Sequence, residues 1–272
     1  MQLTPNIYVE TRYSGANVSC VSTSEGSILI ESPHLPTDAM EWRKTCSEFG
    51  TVKYLINTES HSDHTNGAAL YDVTVVAQEL TREAIKKIDV DVTINTIRMI
   101  DPDGFSLMEN FQYNLPKITF DERMTIYLGD HSFHLYHLPG HTIGQTAVHV
   151  PEERALFTGD NITHCEMGYL HEAEPFLWLE SLQKLREFDV DYIVPGHGEP
   201  CTTDYIDTEE RYVRDCIDAV QEAIDAGWSR DESIEKVYLP HPYPFEKGME
   251  EHGPFLLRLS VGNLYDKLSC KK

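Results

Sequence analysis

Four short polar segments constrain this sequence most, because each follows a strand-like apolar run and each places a His or an Asp close to a glycine. In chain order they are Glu-Ser-His-Ser-Asp-His at 59–64, Pro-Gly-His-Thr at 139–142, Thr-Gly-Asp-Asn at 158–161 and Pro-Gly-His-Gly at 195–198. Glycine allows the sharp backbone bend that points a short imidazole or carboxylate inward from the end of a strand. Together the four segments predict one functional site at strand ends.

The candidate ligands in these segments are of two kinds, imidazoles and carboxylates, with no thiolate among them. Their number exceeds the roughly four ligands of one tetrahedral zinc ion. It suits two metal ions that share a carboxylate and a water molecule, since two metals about 3.5–4 Å apart generate hydroxide at neutral pH and polarise a scissile bond. The candidate ligands are Glu59, His61, Asp63, His64, His141, Asp160 and His197.

The order and spacing of the segments resemble those of the metallo-β-lactamase superfamily, over residues 3–200. The signature of that family is H-x-H-x-D-H, followed by a His in a G-H motif, an Asp in a G-D motif and a His in P-G-H-G. The resemblance implies an α/β fold, the four-layer αββα sandwich, with metals at the sheet edges. We expect residues 1–202 to form that domain and residues 203–272 to form a helical C-terminal extension packed on it.

The resemblance also implies a role for each matching residue. The first metal would be bound by His61 and His141, and Asp160 would bridge both metals. The ligands of the second metal would be Asp63, His64 and His197. Asp63 would also orient the bridging hydroxide, which makes it the expected catalytic residue. The expected cofactors are two divalent metal ions, with zinc as the first expectation.

Glu59 is a departure from this pattern, because most family members have His at that position. Asn57 and Thr58 still match the usual context, so the register of the motif is secure. We predict that Glu59 ligates the first metal through a carboxylate oxygen, which would shift the preference toward Mn or Fe. The alternative is that Glu59 turns away and leaves the first site weak or empty.

The reaction implied by the resemblance is hydrolysis, in which the hydroxide attacks an ester, lactone, thioester or amide of a small molecule. Two alternatives stay open: an iron-dependent oxidase or dioxygenase on the same fold, and a degenerate, metal-poor binding protein. His164 and Tyr169, in the loop after Asp160, are candidate substrate-binding residues. Asn161 is expected to hold a neighbouring ligand in place.

The charge of the chain excludes two classes of partner. With 22 Lys and Arg against 45 Asp and Glu, the net charge is −23, which repels phosphate backbones and anionic lipid surfaces. No apolar run approaches the ~20 residues of a membrane span, and the N-terminus has no secretory pattern. We therefore expect a cytoplasmic enzyme with a small-molecule substrate and no nucleic-acid or membrane partner. The six cysteines lack a C-x-x-C pair, so free buried thiols are expected, Cys165 included.

Three further segments carry expectations of their own. Residues 91–116 are either a lid or a pair of helices packed on the core. The acidic helix at 204–226, which includes Glu209, is expected to present a solvated face. The last helix, from Pro254 to Leu268, either covers the sandwich or forms the seam of a homodimer. His241 and Tyr243 lie in a proline-rich loop that could reach the mouth of the site.

Overall fold

The computed structural model describes residues 1–240, 243, 245, 249 and 252–270, and its strands form two sheets. The strands of the first sheet, in spatial order, are β1 (Ile7–Glu10), β2 (Val18–Thr23), β3 (Gly26–Ile30), β4 (Val52–Ile56), β5 (Thr74–Gln78) and β6 (Ile118–Phe120). Pairing is antiparallel from β1 to β3 and parallel from β3 to β6. The parallel strands therefore deliver their carboxyl ends to one edge of the sheet.

The second sheet is built mainly from a meander. Its strands, in chain order, are β7 (Arg123–Leu128), β8 (His131–His137), β9 (Thr146–Val150), β10 (Ala155–Thr163) and β11 (Tyr192–His197). The strands from β7 to β10 pair antiparallel, and β11 pairs parallel with β10. The ends of β10 and β11 consequently lie side by side.

Helices fill the connections between the strands and form the C-terminal region. They are α1 (Pro36–Cys46), α2 (Ser62–Thr65), α3 (Glu79–Ile85), α4 (Val90–Ile100), α5 (Pro175–Leu185), α6 (Ile206–Asp225), α7 (Arg230–Lys236) and α8 (Gly253–Ser269). Short 3₁₀ turns cover Ser47–Phe49, Asn66–Leu70, Phe105–Met108, Pro151–Glu153 and Thr203–Tyr205. No helix in the described ranges is long and apolar enough to cross a membrane.

Three apolar clusters separate four layers of structure. Ile28 on β3 packs with Phe133 on β8 between the two sheets. Successive strand residues point to opposite faces, so Leu29 lies in a different cluster, with the α1 helix on the outer side of the first sheet. Leu156 on β10 packs with Trp178 on α5 on the outer side of the second sheet. The order helix, sheet, sheet, helix confirms the predicted αββα sandwich.

The C-terminal extension is helical, as predicted, and packs on the second sheet. Buried residues of α6 and α8, among them Val213 and Leu264, join the same cluster as Trp178. The last helix therefore covers the sandwich, while Phe255 and Leu259 stay partly exposed on its other side. The boundary between residues 202 and 203 and the dimer seam remain predictions.

Residues 91–116 form helical structure, which is the second of the two alternatives predicted for this segment. Helix α4 and the turn Phe105–Met108 enclose a small cluster in which Ile97, Met108 and Phe111 are buried. These residues pack against each other and against the residues just before α1. Residues 91–116 are therefore a small helical unit with an apolar cluster of its own. His241 lies outside the described residues.

Two sequence expectations are wrong. Glu209 is buried, with 3% of its surface exposed, and does not belong to a solvated face of α6. Its position continues the buried stripe of that helix, three residues after Ile206 and four before Val213. Cys165 is exposed and has a left-handed backbone with φ +59°, so it is not a small core residue. Cys270 is exposed as well, whereas Cys20, Cys46 and Cys216 are buried free thiols.

Candidate metal centre

The first segment enters the centre from the end of β4. The backbone N–H of Asn57 donates to Val76 on β5, which continues the sheet pairing beyond Ile56. The chain then leaves the sheet at Glu59 and turns into α2, whose N-cap is His61. Because α2 is a single turn that starts immediately after His61, Asp63 and the buried His64 follow within three residues. Four candidate ligands thus come from six consecutive residues.

The second sheet supplies the other three ligands. His141 follows β8, Asp160 lies within β10 and His197 ends β11. Gly196 passes so close to the Asp160 carboxylate that a Cβ at position 196 would collide with it, which explains the glycine before His197. The sheets are joined at this edge by backbone hydrogen bonds from Asn17 to Gly196 at 2.7 Å and from Thr146 to Thr58 at 2.8 Å.

Asp160 lies at the middle of the seven side chains. Its Oδ1 is 3.3 Å from His64 Nε2, and its Oδ2 is 3.4 Å from His197 Nε2 and 3.6 Å from His141 Nε2. His197 Nε2 is also 3.3 Å from Asp63 Oδ2. Ligand atoms bonded tetrahedrally to one ion at ~2.0–2.1 Å stand about 3.3–3.4 Å apart. The spacing therefore matches that of donor atoms around a common ion.

Glu59 points into the cluster and not away from it. Its Oε2 is 2.6 Å from His61 Nδ1, and that nitrogen is 3.2 Å from His141 Nε2. Its Oε1 is 3.7 Å from His64 Nε2 on the other side. The carboxylate is completely buried and lies between the two groups of donors. Both of its oxygens are therefore placed where a cation could be shared.

The donor atoms lack ordinary hydrogen-bond partners. Among the described residues, Glu59 Oε2, His61 Nε2, His64 Nε2 and Asp160 Oδ1 are buried and lie within ion-pair distance of charged neighbours, but none of them makes a contact with hydrogen-bond geometry. Buried polar atoms in native proteins are nearly always paired, so such a group calls for an explanation. A divalent cation satisfies them together, since imidazole and carboxylate are the donors that zinc, manganese and iron accept. The residues present fit the metals that the sequence predicts.

The carboxylates dominate the electrostatics of this cluster. Burial acts to lower the pKa of His64, but attraction from Glu59 and Asp160 outweighs it and raises that pKa well above its ordinary value. Burial acts to raise the pKa of Asp160, but His197 and His64 hold it well below its ordinary value. The field at the centre thus favours positive charge.

Three residues outside the ligand set hold it in position. Asn161 accepts a hydrogen bond from the backbone N–H of His141 at 3.0 Å and donates to Leu138 at 2.7 Å, which confirms its expected supporting role. Glu31, buried at the end of β3, has its Oε1 3.2 Å from His64 Nδ1 and accepts from the Thr58 backbone at 2.9 Å. The amide of Gln145, oriented so that both polar atoms are paired, donates to Glu59 Oε1 at 3.0 Å and accepts from the Asp160 backbone. No motif in the sequence points to Glu31 or Gln145.

His171 and Glu172 lie against His61, and they too are absent from the four ligand segments of the sequence. The rings of His171 and His61 stack with centroids 5.3 Å apart, and Glu172 Oε2 is 3.4 Å from His61 Nε2. Burial and the neighbouring His61 lower the pKa of His171 to about 4. The signal in the sequence was a His-Glu pair in the same loop as Tyr169, but that loop has no periodicity to orient it. The pair forms an outer rim of the centre on the His61 side.

The two candidate substrate-binding residues lie on different sides of this loop. His164 Nδ1 is 2.7 Å from the Glu199 carbonyl oxygen, and its ring packs edge-on against Tyr205 at 4.5 Å. Tyr169 packs near His171, with ring centroids 6.4 Å apart. His164 thus contacts the residues just before α6, whereas Tyr169 lies beside His171 with its hydroxyl close to Gly253 at the start of α8. Their roles toward a substrate remain predictions.

Comparison with known proteins identifies the family. The family profile described as "Metallo-beta-lactamase superfamily" matches residues 50–197, more than half of the chain. The chain belongs to the metallo-beta-lactamase superfamily. The matched range begins just before β4 and ends at His197, so it contains all seven residues of the cluster.

Curated relatives within the superfamily carry different names. The linear primary-alkylsulfatase of Pseudomonas sp. (strain ATCC 19151) is 22% identical over 263 residues, covering 81% of this chain and 49% of that protein. The hydroxyacylglutathione hydrolase of Bartonella quintana (strain Toulouse) is 26% identical over 169 residues, covering 59% of this chain and 56% of that protein. The chain therefore spans about half the length of these two relatives.

Solved structures of the superfamily share the fold. A metallo-beta-lactamase from Pontibacter korlensis aligns with a TM-score of 0.61 and 21% identity, over 79% of this chain and 97% of that chain. The DIM-1 metallo-beta-lactamase aligns with a TM-score of 0.63 and 19% identity, over 78% of this chain and 95% of that chain. At these identities the likeness establishes the sandwich and leaves the reaction to be argued from the site.

Proposed function

We propose that this protein is a metal-dependent hydrolase with two divalent ions at the Asp160 cluster. The observation that carries the proposal is the convergence of seven donor side chains from four segments of the chain, with several donor atoms that are buried and make no hydrogen bond within the described residues. His61, His141 and Glu59 would hold one ion, and the ligands of the other would be Asp63, His64 and His197. Asp160 would be shared between them.

The carboxylates of the cluster would have different roles in hydrolysis. When bound, two metals supply Lewis acidity and a hydroxide nucleophile at neutral pH. Asp63 is the most exposed carboxylate of the cluster, with 27% of its side chain accessible against 8% for Asp160 and none for Glu59. Asp63 is therefore suited to orient the nucleophile, because a substrate and solvent can reach it. Glu59 and Asp160 would act as fixed anionic ligands.

The substrate class proposed is an ester, lactone, thioester or amide of a small molecule. The names of the relatives, an alkylsulfatase and a hydroxyacylglutathione hydrolase, support hydrolysis and add a sulfate ester to the compounds worth testing. Zinc is the first metal to test, and the carboxylate of Glu59 adds manganese and iron. Iron in the purified protein together with oxygen consumption would instead favour the oxidase or dioxygenase alternative.

Metal analysis and turnover test the proposal together. Protein purified without added metal is analysed for its elements, then loaded with zinc or manganese and assayed with p-nitrophenyl esters, lactones and a sulfate ester. We expect His61→Ala and Asp160→Asn to abolish turnover with the fold retained, and His134→Ala, on β8 outside the cluster, to leave it intact. Activity retained in both cluster variants would refute the two-metal mechanism. Unchanged metal stoichiometry in Glu59→Ala would refute ligation by Glu59.

A further inference from the structure

A cavity of about 370 Å³ opens between the loop after β10 and helix α6. The loop contributes Thr163, Glu166 and Met167, and α6 contributes Glu209 and Tyr212. The proposed hydrolytic mechanism uses none of these residues. The cavity therefore needs an account of its own.

Glu209 has one carboxylate oxygen without a partner. Its Oε2 accepts a hydrogen bond from the Thr163 backbone N–H at 3.1 Å. Its Oε1 is buried and has no hydrogen-bond partner in the described part of the chain. Burial raises the pKa of Glu209 to about 8, with a further contribution in the same direction from Asp160. A cationic donor that reached this side chain would stabilise its ionised form.

The rest of the cavity wall suits an organic cation. Tyr205, Tyr212 and Tyr243 line it together with Met167, and tyrosine rings attract cations through their π faces. Among the described residues of the lining, Glu166 and Asp215 add two further carboxylates, and Arg211 is the one cationic side chain. The charge balance of the wall is therefore acidic, which disfavours an anionic occupant.

The cavity adjoins the metal centre on the His197 side. Glu166, which lines the cavity, has its Oε2 3.9 Å from His197 Nδ1. Thr163, which donates to Glu209, is the strand partner of His197 in the pairing of β10 with β11. The cavity and the ligand cluster therefore share one wall, formed by the Glu166–His197 contact and the paired strands β10 and β11.

We propose that the cavity binds the protonated amine end of a substrate whose hydrolysable bond lies at the metal centre, with Glu209 Oε1 accepting from the ammonium group. This inference rests on the proposed function only for the position of the hydrolysable bond. The amine site follows from the buried oxygen, the aromatic wall and the acidic lining. Glu209 is then a specificity-determining residue and takes no part in the bond cleavage.

Binding is measured first, by calorimetry on the metal-loaded protein with hexylamine and with 1-hexanol as its uncharged counterpart. We expect hexylamine to bind about tenfold or more tightly than the alcohol, a preference that Glu209→Gln removes. Glu210→Gln is the matched control, because the neighbouring Glu210 faces away and pairs with Arg186 and Arg214. Equal binding of the amine and the alcohol, or a preference that survives Glu209→Gln, would overturn the inference.

Turnover then separates the inference from the proposed function. Pairs of p-nitrophenyl esters are compared, in which an acyl chain ends in either an ammonium or a methyl group, over a series of lengths. We expect the ammonium member of the best pair to have a kcat/KM about tenfold higher, through KM, in the wild type and Glu210→Gln but not in Glu209→Gln. Hydrolysis of both members at equal rates would overturn the amine site and leave the hydrolase standing. Amine binding without hydrolysis of either ester would overturn the proposed hydrolase function and leave the amine site standing.

Discussion

The side-chain amide of Gln145 donates to Glu59 Oε1 at 3.0 Å while its oxygen accepts from the backbone N–H of Asp160. Both side chains are completely buried, so neither contact competes with water. Gln145 therefore links the unusual carboxylate of this chain to the backbone of the shared ligand. The contact is made to the Glu59 oxygen on the His64 side, and it leaves Oε2 facing His61, where a cation is proposed to bind.

Replacing Gln145 by Leu should weaken metal binding by about 10- to 100-fold, the range found when partners of metal ligands are removed. The reason is that Glu59 loses the donor that orients it, while the volume of the side chain is nearly kept. Competition with a coloured chelator measures the affinity. Gln183→Leu, on the exposed side of α5, is the control and should bind metal as the wild type does. Equal affinity in both variants would show that Glu59 needs no such support.

Replacing Glu31 by Ala should destabilise the metal-free protein by about 2–4 kcal/mol, because buried donors lose their acceptor. Those donors are the Thr58 backbone N–H and the Asn57 amide, at 2.9 and 3.2 Å. Guanidinium unfolding in the presence of a chelator gives the free energy directly. The control is Glu25→Ala in the exposed turn before β3. A loss as small as that of the control would contradict the assigned role.

Stability should fall as the pH rises above neutrality because of His131. Burial acts to lower the pKa of His131, but hydrogen bonds to Glu153 and Asp130, both at 2.9 Å, raise it above 6.5. A raised pKa means that the folded state retains a proton that the unfolded state has released. The contribution is therefore complete below about pH 6.5 and is lost as the pH passes the folded value.

Urea unfolding at several pH values, compared between wild type and His131→Gln, measures that effect. The variant should show a shallower fall in stability above about pH 6.5 than the wild type. His134→Gln, on the same strand and partly exposed, provides the control and should follow the wild-type curve. Parallel curves for all three proteins would exclude His131 as the source.

Glu209 should make a second, separate contribution to the pH dependence. Its pKa rises on folding from 4.5 to about 8, so the folded state holds a proton that the unfolded state releases across that window. Stability should therefore decline from about pH 4.5 to about pH 8, by an amount of the order of a few kcal/mol, and then level off. Glu209→Gln should remove this decline, as judged by unfolding at both ends of the window, whereas Glu210→Gln should not.

The four ligand segments could be located from the sequence because each combines a strand-like apolar run with a His or Asp beside a glycine. Two of the segments follow β4 and β8, while Asp160 and His197 still belong to β10 and β11. The resemblance then supplied the two-sheet arrangement. The acidic composition of residues 204–226 predicts a solvated face, whereas the helical period of Ile206, Val213 and Cys216 places Glu209 among the buried residues. His171 could not be placed, since the loop that carries it has no period and its stacking on His61 depends on tertiary structure. The role of Gln145 as a hydrogen-bond donor could not be predicted, because its acceptor, Glu59, is distant in the chain.

The joint between the two sheets has a consequence for how the molecule opens. Asn17 and Thr146 donate backbone hydrogen bonds across that joint, and the proposed ligands come from both of its sides. A bound cation would therefore hold the two sheets together. At a metal concentration of a hundred times Kd, the free energy needed to separate the sheets would rise by about 2.7 kcal/mol. The amide protons of Asn17 and Thr146 should then exchange with solvent more slowly as metal is added. The exchange rates of these two amide protons would therefore report how much metal is bound to the protein, and the measurement needs no substrate.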